Sequence, residues 1–475
     1  MPGKFASKGY RFIAWMAVVS VVFLLAWPAG TAGAGVRVTP ETVRVGLMQG
    51  VPEVSFSFQG KYRLINDFNG QVIAEDDQGH LWQVKNADGL CLVLKDGEKL
   101  GAFTGPIKAK QVNIKRSILA GNGIWLQKDS LTSLAVQRAG QNVSQLPEDH
   151  STYYVVDGSG RVVPLPRGWL NLVRLENGAA SHYRGNLEIR PAAEGLTVVN
   201  ELPIEQYLYG VVPAEMPSFF PVEALKAQAV ASRSYTITQL GSYAAFGFDV
   251  LDNQYSQVYK GYDEEDPITT EAVDATKGLV LQYRGQPVAA FFHSSSGGCT
   301  ENSEDVWKDS LPYIRSKEDP FDHNDKYYNW TVTYSADQLT ATVNRQLPKF
   351  LDPEKLPHFA IITDLQELER TSTGLRVKKM LIKGLDAQGK PLCLEVYNAD
   401  RVRIALGLRS ALFKMRKYTK PDGTLDKVTF TGSGWGHGLG MSQWGAAGLA
   451  SQGYSFQDIL QYYYTGVKLV NNYGM

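Results

Sequence analysis

The chain contains 475 residues, which is long for a single domain and enough for two or three units with substantial cores. Its 48 basic residues balance 48 acidic ones, so the formal net charge is zero. Because nucleic-acid binding depends on neutralising phosphates, a neutral chain without a basic block gives no reason to expect a nucleic-acid partner. Three cysteines are too few for a disulfide framework. Cys91 and Cys393 lie in apolar runs and are expected to be buried.

The first 34 residues have the arrangement of an export signal. Basic residues precede an apolar run at about residues 12–27, and small residues follow it, with residues 32–34 resembling a cleavage site. We therefore expect residues 1–34 to be a signal peptide that is cleaved near Gly35, and the chain to be exported. Because the apolar run is close to the lower limit for a membrane span, an uncleaved anchor is the alternative.

Residues 35–170 are predicted to form a β-rich module. Short alternating runs are separated by four turn signals, which are Asn69-Gly70, Gln78-Gly79, Asp88-Gly89 and Asp96-Gly97. The tryptophans Trp82 and Trp125 are expected to pack in its core, with a sugar-binding face as the alternative. A polar stretch at residues 141–151 predicts a linker or long loop, which places the end of the module between residues 141 and 171.

The remaining core, residues 171–470, is predicted to be α+β, because helices and β-hairpins occur in it without a regular βα alternation. Strands are expected at residues 187–199, 330–334 and 427–431, helices at residues 269–276 and from Ala336 and Met441, and a β-hairpin that joins 375–382 to 391–396.

An αα-hairpin is predicted at the centre of this core. A short first helix is expected at residues 202–208, and a second helix begins at Pro221, since proline favours the first turn of a helix. Glu215 lies between Pro213 and Pro217, which restrict the backbone on both sides of it. The sequence therefore predicts a preorganised carboxylate on the elbow between the helices. From the residues alone, a cap or a surface ion pair is the more common role for such a glutamate.

Two polar loops carry further candidates. His293 begins a polar segment after an apolar strand predicted at residues 288–292, and polar residues at a strand end commonly line a site. The glycine-rich stretch at residues 432–440 contains His437, but its spacing matches neither common phosphate-binding pattern. A nucleotide site is therefore not indicated. Serine hydrolase chemistry is not indicated either, because no G-x-S-x-G elbow accompanies the serines after His293.

Three segments of the chain resemble the SpoIID/LytB family, that of stage II sporulation protein D and amidase enhancers. They are residues 202–236, 291–307 and 432–466, and the resemblance as a whole covers about residues 185–466. The resemblance is specific because all three segments occur in one order and at matching spacing. Members of this family act on the glycan strands of peptidoglycan.

The resemblance implies a lytic transglycosylase in which Glu215 is the catalytic residue. One carboxylic acid protonates the glycosidic oxygen and then, as a carboxylate, helps the muramyl C6 hydroxyl to close a 1,6-anhydro ring. Glycoside hydrolases instead usually need a second carboxylate at a defined separation. An acid that is protonated near neutral pH needs a raised pKa, which burial supplies. The apolar residues expected around it are Val211, Val212, Met216, Phe219 and Phe220.

The resemblance also implies a set of substrate-binding residues, which are Arg233, His293, Ser294, Ser295, Gly436, His437, Gln443 and Trp444. Arg233 lies about 18 Å along an ideal helix from Pro221, so helix geometry alone does not bring it to Glu215. It is expected to line the cleft or to join a polar network, with a plain surface arginine as the alternative. The glycines around His437 are expected to let a glycan approach the backbone; a tight structural turn is the alternative.

Zinc is the one cofactor that the family resemblance suggests. Some family members hold zinc with a His and a Cys six residues apart and a His-Cys pair just beyond. His293 and Cys299 have that spacing, whereas Glu304 and Asp305 occupy the positions of the pair. Because structural zinc usually takes four Cys or His ligands, we expect no cofactor and interpret His293 as a hydrogen-bonding residue that orders the site.

Two functions are compatible with these residues. The first is an exported lytic transglycosylase that favours glycan strands stripped of their stem peptides, and the immobilised Glu215 favours it because a binding protein needs no such acid. The second is a non-catalytic wall-binding protein that enhances an N-acetylmuramoyl-L-alanine amidase, which the long β-rich module favours. The expected partners are glycan strands and a cell-wall amidase, and the expected location is outside the cytoplasm, in the wall or at the membrane.

Overall fold

The computed structural model describes residues 42–112, 172–177 and 180–471, together with the backbone of six short strands between residues 116 and 164. The expected signal peptide and the side chain of Trp125 lie outside the described residues, and of the polar stretch at 141–151 only the backbone of residues 144–146 is described, as a strand. Chain contacts define two compact units, one built mainly from residues 38–281 and one mainly from residues 290–468. We call them the N-terminal unit and the C-terminal unit.

The N-terminal unit is built around one 12-stranded sheet. Its strands and the six short strands are, in chain order, β1 (Thr42–Val51), β2 (Glu53–Asn66), β3 (Val72–Gln78), β4 (Trp82–Ala87), β5 (Leu90–Lys95), β6 (Glu98–Phe103), β7 (Ile107–Gln111), β8 (Arg116–Leu119), β9 (Trp125–Lys128), β10 (Leu134–Val136), β11 (Ser144–Leu146), β12 (Tyr154–Val156), β13 (Val162–Pro164), β14 (Leu172–Leu175), β15 (Ser181–Tyr183), β16 (Asn186–Ala192), β17 (Gly195–Pro203) and β18 (Val250–Leu251). The main path of the sheet is β18-β1-β17-β16-β7-β2-β4-β5-β6, with β3 and β14 also paired to β2, and β15 to β14.

Local turn chemistry explains the hairpins of this sheet. Asp88-Gly89 and Asp96-Gly97 have positive φ at both residues, which is the geometry of the two-residue turns joining β4 to β5 and β5 to β6. Trp82 is fully buried and donates from its indole N–H to Asp76 at 2.6 Å, which confirms the core prediction. Strands from both sides of residue 170 share the sheet. The predicted boundary near that residue stays a prediction.

Among its described residues, the N-terminal unit also contains three α-helices: α1 (Ile204–Glu215), α2 (Val222–Gln239) and α3 (Pro267–Ala275). The second helix follows Pro221 and the third matches the predicted position. The prediction of a short first helix was wrong, because α1 continues through Pro213 and makes Glu215 its last residue. Pro213 removes one i→i−4 hydrogen bond from the last turn, and the buried Val211 and Val212 hold that turn in the core.

The C-terminal unit contains short helices and three small sheets. Its elements are β21 (Phe292–His293), α4 (Ser303–Val306), β22 (Asn329–Ser335), α5 (Ala336–Gln346), β23 (Ile361–Arg370), β24 (Val377–Leu385), β25 (Pro391–Tyr397), α6 (Ala399–Ala405), β26 (Phe413–Thr419), β27 (Leu425–Ser433), β28 (Met441–Ser442), α7 (Gln443–Ser451) and α8 (Phe456–Tyr463). The strand orders are β22-β27-β26, β23-β24-β25 and β21-β28. Three further strands, β19 (Leu279–Tyr283), β20 (Gln286–Pro287) and β29 (Lys468–Asn471), contain residues assigned to both units.

The mixed α/β character agrees with the predicted fold class. Ser335 caps α5 through a reciprocal capping box with Gln338, which explains why the helix begins at Ala336 as predicted. The expectation that Cys393 is buried was wrong, because it lies on the edge strand β25 and is exposed. Among the described residues, no helix is long and apolar enough to cross a membrane.

Candidate functional site

Glu215 is partly buried at the C-terminal end of α1. Its Oε1 accepts a hydrogen bond from the backbone N–H of Val258 at 2.8 Å, which fixes the carboxyl group against the segment of residues 252–258. Burial raises the pKa of Glu215, although the Val258 hydrogen bond acts in the opposite direction. A carboxyl group in this state keeps its proton to a higher pH than an exposed glutamate does. The group is therefore suited to general acid chemistry.

The expected apolar surround of Glu215 is present only in part. Val212, Met216 and Phe220 are buried, whereas Phe219 is 75% exposed and packs edge-on against the Phe220 ring at 5.0 Å between centroids. Tyr255, in the segment that supplies the Val258 hydrogen bond, is 61% exposed. Both segments that adjoin Glu215 thus carry an exposed aromatic ring, and such rings offer apolar faces to a sugar.

A second partly buried carboxylate, Asp252, lies in the same segment as Val258 and was not among the predicted site residues. Burial raises the pKa of Asp252. The pKa of Tyr207 is raised chiefly by burial and further by the charges of both Glu215 and Asp252, so both carboxylates act on this buried phenol. No sequence spacing indicated this grouping, because Tyr207 belongs to α1 and Asp252 to a loop far along the chain.

Arg233 forms a buried ion pair with Glu205. Its Nε donates to Glu205 Oε1 at 2.9 Å and its Nη2 to Oε2 at 2.7 Å, and further bonds reach the carbonyl oxygens of Val273 and Leu279. The Arg233 side chain has no exposed surface. This arrangement corresponds to the polar-network role, and a plain surface arginine is excluded. Direct contact with a glycan would require the guanidinium to become exposed.

In the C-terminal unit, the two polar loops lie side by side. Strands β21 and β28 pair in parallel, and Ser295 and Trp435 exchange backbone hydrogen bonds of 3.0 and 2.8 Å. The backbone N–H of Trp444 donates to Ser294 at 3.0 Å. The fold therefore brings together all the predicted substrate-binding residues that follow residue 290, which are His293, Ser294, Ser295, Gly436, His437, Gln443 and Trp444. Glu215 and Arg233 belong to the N-terminal unit.

The two histidines of this cluster are neutral near pH 7. Their ring centroids are 5.5 Å apart. His293 Nδ1 lies 3.1 Å from the carbonyl oxygen of Leu439 and therefore carries the proton, which leaves Nε2 as a buried acceptor without a partner among the described residues. Burial and then His437 lower the pKa of His293 well below its usual value. Burial also lowers the pKa of His437 to about 4.

Trp307 and Asp400 extend the histidine cluster and were not predicted as site residues. The Trp307 ring lies 5.0 Å from that of His437, and its indole N–H donates to Asp400 at 3.2 Å. Asp400 also accepts a 2.6 Å bond from Arg403. Trp307 is the last residue of the second family segment, so the sequence could have indicated it as a site residue. Asp400 carried no such signal.

The space beside the glycines around His437 is filled by other residues of the same unit. Gly436 has a φ of +118°, and a Cβ there would lie 2.8 Å from the Cβ of His293. A Cβ on Gly438 would lie 2.5 Å from the Arg376 guanidinium, and one on Gly440 would lie 2.1 Å from the carbonyl oxygen of Phe291. The structure therefore favours the tight structural turn over the expected access for a glycan at these positions.

We expect Gly436→Val to destabilise the C-terminal unit. The valine would collide with His293 and would occupy a backbone conformation that a β-branched residue disfavours, and overpacking of this kind typically costs about 1–3 kcal/mol. Thermal unfolding would measure the loss. His437→Ala removes the 3.0 Å bond that His437 Nδ1 accepts from the Leu439 N–H but creates no collision, so it should lower the melting temperature less than Gly436→Val does and should reduce glycan affinity. If His437→Ala melts early while the folded fraction binds glycan normally, the histidine is structural.

The residues at the family's zinc positions are engaged elsewhere. His293 bonds to Leu439, and Cys299 Sγ lies 3.4 Å from the Ser316 hydroxyl, while burial raises the pKa of that thiol. Glu304 pairs with Arg315 at 2.6 Å, and Asp305 pairs with a lysine at 2.9 Å. Among the described residues, no three His, Cys, Asp or Glu side chains form a ligand group. The residues present do not fit the zinc set of other family members.

Buried carboxylates stabilise the serine loop. Asp322 Oδ2 accepts hydrogen bonds from the hydroxyls of Ser295 and Ser296 and from the backbone N–H of Gly297, all within 2.8–2.9 Å. The nearby Asp319 is fully buried. Burial, and then the charge of Asp322, raise the pKa of Asp319 to about 6. Ser295 is therefore fixed by an internal carboxylate, and its hydroxyl is already used as a donor.

We expect Asp319 to make stability depend on pH. Because its pKa in the folded state, about 6, exceeds the usual 3.8, the folded state binds more protons between these values, and stability falls as pH rises through them. Two pKa units correspond to roughly 3 kcal/mol. Urea unfolding at pH 4 and pH 7 should show a smaller loss for Asp319→Asn than for the wild type. Equal losses in the two proteins would contradict this assignment.

Comparison with known proteins places the chain in a family. Residues 192–283 match the family model described as Stage II sporulation protein, and residues 290–440 match a domain of unknown function. The chain is 34% identical over 286 residues to Stage II sporulation protein D of Bacillus subtilis (strain 168), covering 57% of this chain and 75% of that protein. It is 32% identical over 378 residues to the Amidase enhancer of the same organism, covering 67% of this chain and 51% of that protein. The chain belongs to the SpoIID/LytB family.

Proposed function

We propose that the protein is a peptidoglycan lytic transglycosylase and that Glu215 is its general acid and base. This proposal rests on the position and the pKa of the Glu215 carboxyl group. It is held by a 2.8 Å hydrogen bond from a backbone N–H, and burial raises its pKa. A binding protein gains nothing from a fixed carboxyl group with a raised pKa, whereas an acid catalyst requires one.

In the proposed reaction, Glu215 acts twice. Protonated Glu215 gives its proton to the glycosidic oxygen as the bond from C1 breaks. The resulting carboxylate then accepts the proton of the muramyl C6 hydroxyl as that oxygen attacks C1 and closes the 1,6-anhydro ring. The carboxyl group thus returns to its protonated state without an external water, and one residue suffices. The preferred substrate is a glycan strand stripped of stem peptides.

Of the residues gathered in the C-terminal unit, the two histidines, Gln443 and Trp444 are proposed to bind glycan. His293 and His437 are neutral, and His293 Nε2, which has no partner among the described residues, can accept a hydrogen bond from a hydroxyl or acetamido group of a sugar. Gln443 and Trp444 adjoin the same loops at the start of α7. We further propose that the protein is exported and works at the cell wall or membrane; N-terminal sequencing of exported protein tests whether the chain begins near Gly35.

A second candidate function is enhancement of a cell-wall amidase without catalysis. The observation that favours it is the similarity to the relative named Amidase enhancer, which extends over 378 residues. In that case the amidase would be the functional partner, and Glu215 would have no chemical role.

Product analysis distinguishes these functions. Purified protein is incubated with amidase-stripped glycan strands, and the new strand ends are identified by mass spectrometry. Strand ends that carry a 1,6-anhydro ring support the proposal, whereas reducing ends indicate a hydrolase. If no new strand ends form, the amidase-enhancing function is favoured. Asp252→Asn is the informative companion, because a hydrolase would need a second carboxylate near Glu215, whereas the proposed lyase would retain activity without Asp252.

A further inference from the structure

A cationic and aromatic surface lies on the C-terminal unit beside the glycine loop. The guanidinium of Arg409 lies 4.3 Å from the Tyr327 ring centroid and 5.7 Å from that of Trp435. The Tyr327 and Trp435 rings contact each other edge-on at 4.7 Å, and Lys326 Nζ lies 4.8 Å from the Tyr327 ring. We call these four residues the Arg409 surface.

The Arg409 surface is held in place by backbone hydrogen bonds and not by ion pairs. Trp435 is anchored on both sides by Ser295, and the carbonyl oxygen of Arg409 accepts a 2.9 Å bond from Gly436. Trp435 nevertheless remains 42% exposed. In the part of the chain that the structure describes, Arg409 forms no ion pair, and Lys326, which is exposed, acts through its charge on the adjacent Asp325. Lys326 and Trp435 are exposed and Arg409 is partly exposed, so two cations and an aromatic face are open to a ligand.

The chemistry of this surface indicates an acidic sugar. An exposed indole offers a flat face for a sugar ring, and a guanidinium that stacks on aromatic rings still presents its N–H groups to a carboxylate. Two cations on a chain of zero net charge are too few for a polyphosphate ligand. The ligand class is therefore a saccharide that carries one carboxylate per binding unit.

We propose that the Arg409 surface binds a muramyl residue whose lactyl carboxylate is free. The choice of this acidic sugar rests on the proposed function, because the lactyl carboxylate is in amide linkage to the stem peptide until that peptide is removed. Arg409 binds the free carboxylate while Trp435 stacks on the sugar ring. A strand that still carries peptides presents an uncharged amide in place of the carboxylate, so this surface selects stripped strands by charge.

The test compares ligands that differ in the carboxylate alone. Amidase-stripped strands, the same strands with their carboxylates converted to methylamides, and neutral chitooligosaccharides are titrated against the wild type, Arg409→Gln and Trp435→Ala. The wild type should bind the acid form about five- to tenfold more tightly than the amide form, with the difference shrinking at high salt. Arg409→Gln should abolish that difference and leave the affinity for chitooligosaccharides unchanged. Trp435→Ala should weaken all three ligands.

Arg416→Gln is the matched control, because Arg416 also stacks on an aromatic ring of the same unit, 5.1 Å from Tyr418, but has no exposed tryptophan beside it. It should preserve the preference for the acid form. The inference is overturned if Arg409→Gln, with an unchanged melting temperature, keeps that preference, or if the wild type has none. In that case, strand cleavage that depends on Glu215 would still support the proposed function. If the wild type prefers the carboxylate but cleaves no strands, the binding role of the Arg409 surface is supported and the proposed function is not.

Discussion

Glu215→Gln should fold as the wild type does and lose cleavage of stripped glycan strands by about 10²- to 10⁴-fold. The amide keeps the size of the side chain, and its carbonyl oxygen can still accept the bond from Val258. It cannot, however, deliver a proton to the glycosidic oxygen or accept one from the C6 hydroxyl. Initial rates of anhydro-end formation, measured beside thermal unfolding and glycan binding, separate chemistry from folding.

Glu223→Gln is the matched control for this variant. Glu223 lies in the first turn of the neighbouring helix α2 and forms a partly exposed ion pair with Lys226 at 2.7 Å. Loss of this ion pair should change neither stability nor cleavage by much. Glu205 cannot serve the same purpose, because its carboxylate is buried against Arg233. If Glu215→Gln cleaves at the wild-type rate, Glu215 is not the acid, and the amidase-enhancing function becomes the leading one.

The pH dependence of cleavage gives an independent test. Because burial raises the pKa of Glu215, the acid form persists above the usual range, and the wild-type rate should fall as pH rises through that pKa. The residual rate of Glu215→Gln should lack this decline. The histidines cannot imitate it, since the pKa of His437 is lowered to about 4 and that of His293 lies well below its usual value.

Local signals in the sequence explain what could be predicted. Pro221 indicated the start of α2, and the Asp-Gly pairs indicated the tight turns of the large sheet, because each signal depends on a few neighbouring residues. The family segments identified the loops that carry His293 and His437. The length of α1 was missed, since a proline in a last helical turn resembles one that ends the helix.

Contacts between distant residues explain what could not be predicted. His293 and His437 meet only because β21 pairs with β28, and the glycines beside His437 are needed for that close approach. From the sequence, the same glycines equally suggested space for a ligand. Asp252 and Asp400 had no spacing signal, because each acquires its neighbours from another part of the fold. The role of Arg233 was likewise decided by a partner 28 residues away.

Breaking the buried pair between Glu205 and Arg233 should destabilise the N-terminal unit by about 3–5 kcal/mol, because either single change leaves the other charge buried without its partner. We expect this for Glu205→Gln and Arg233→Ala in urea unfolding monitored by tryptophan fluorescence. The double variant Glu205→Leu with Arg233→Leu removes both charges and should lose less than the sum of the two single losses. In each variant, the fraction that remains folded should bind glycan as the wild type does. If Arg233→Ala instead keeps its unfolding midpoint and loses glycan affinity, the guanidinium reaches the substrate, and the cleft role that the family resemblance implied is correct.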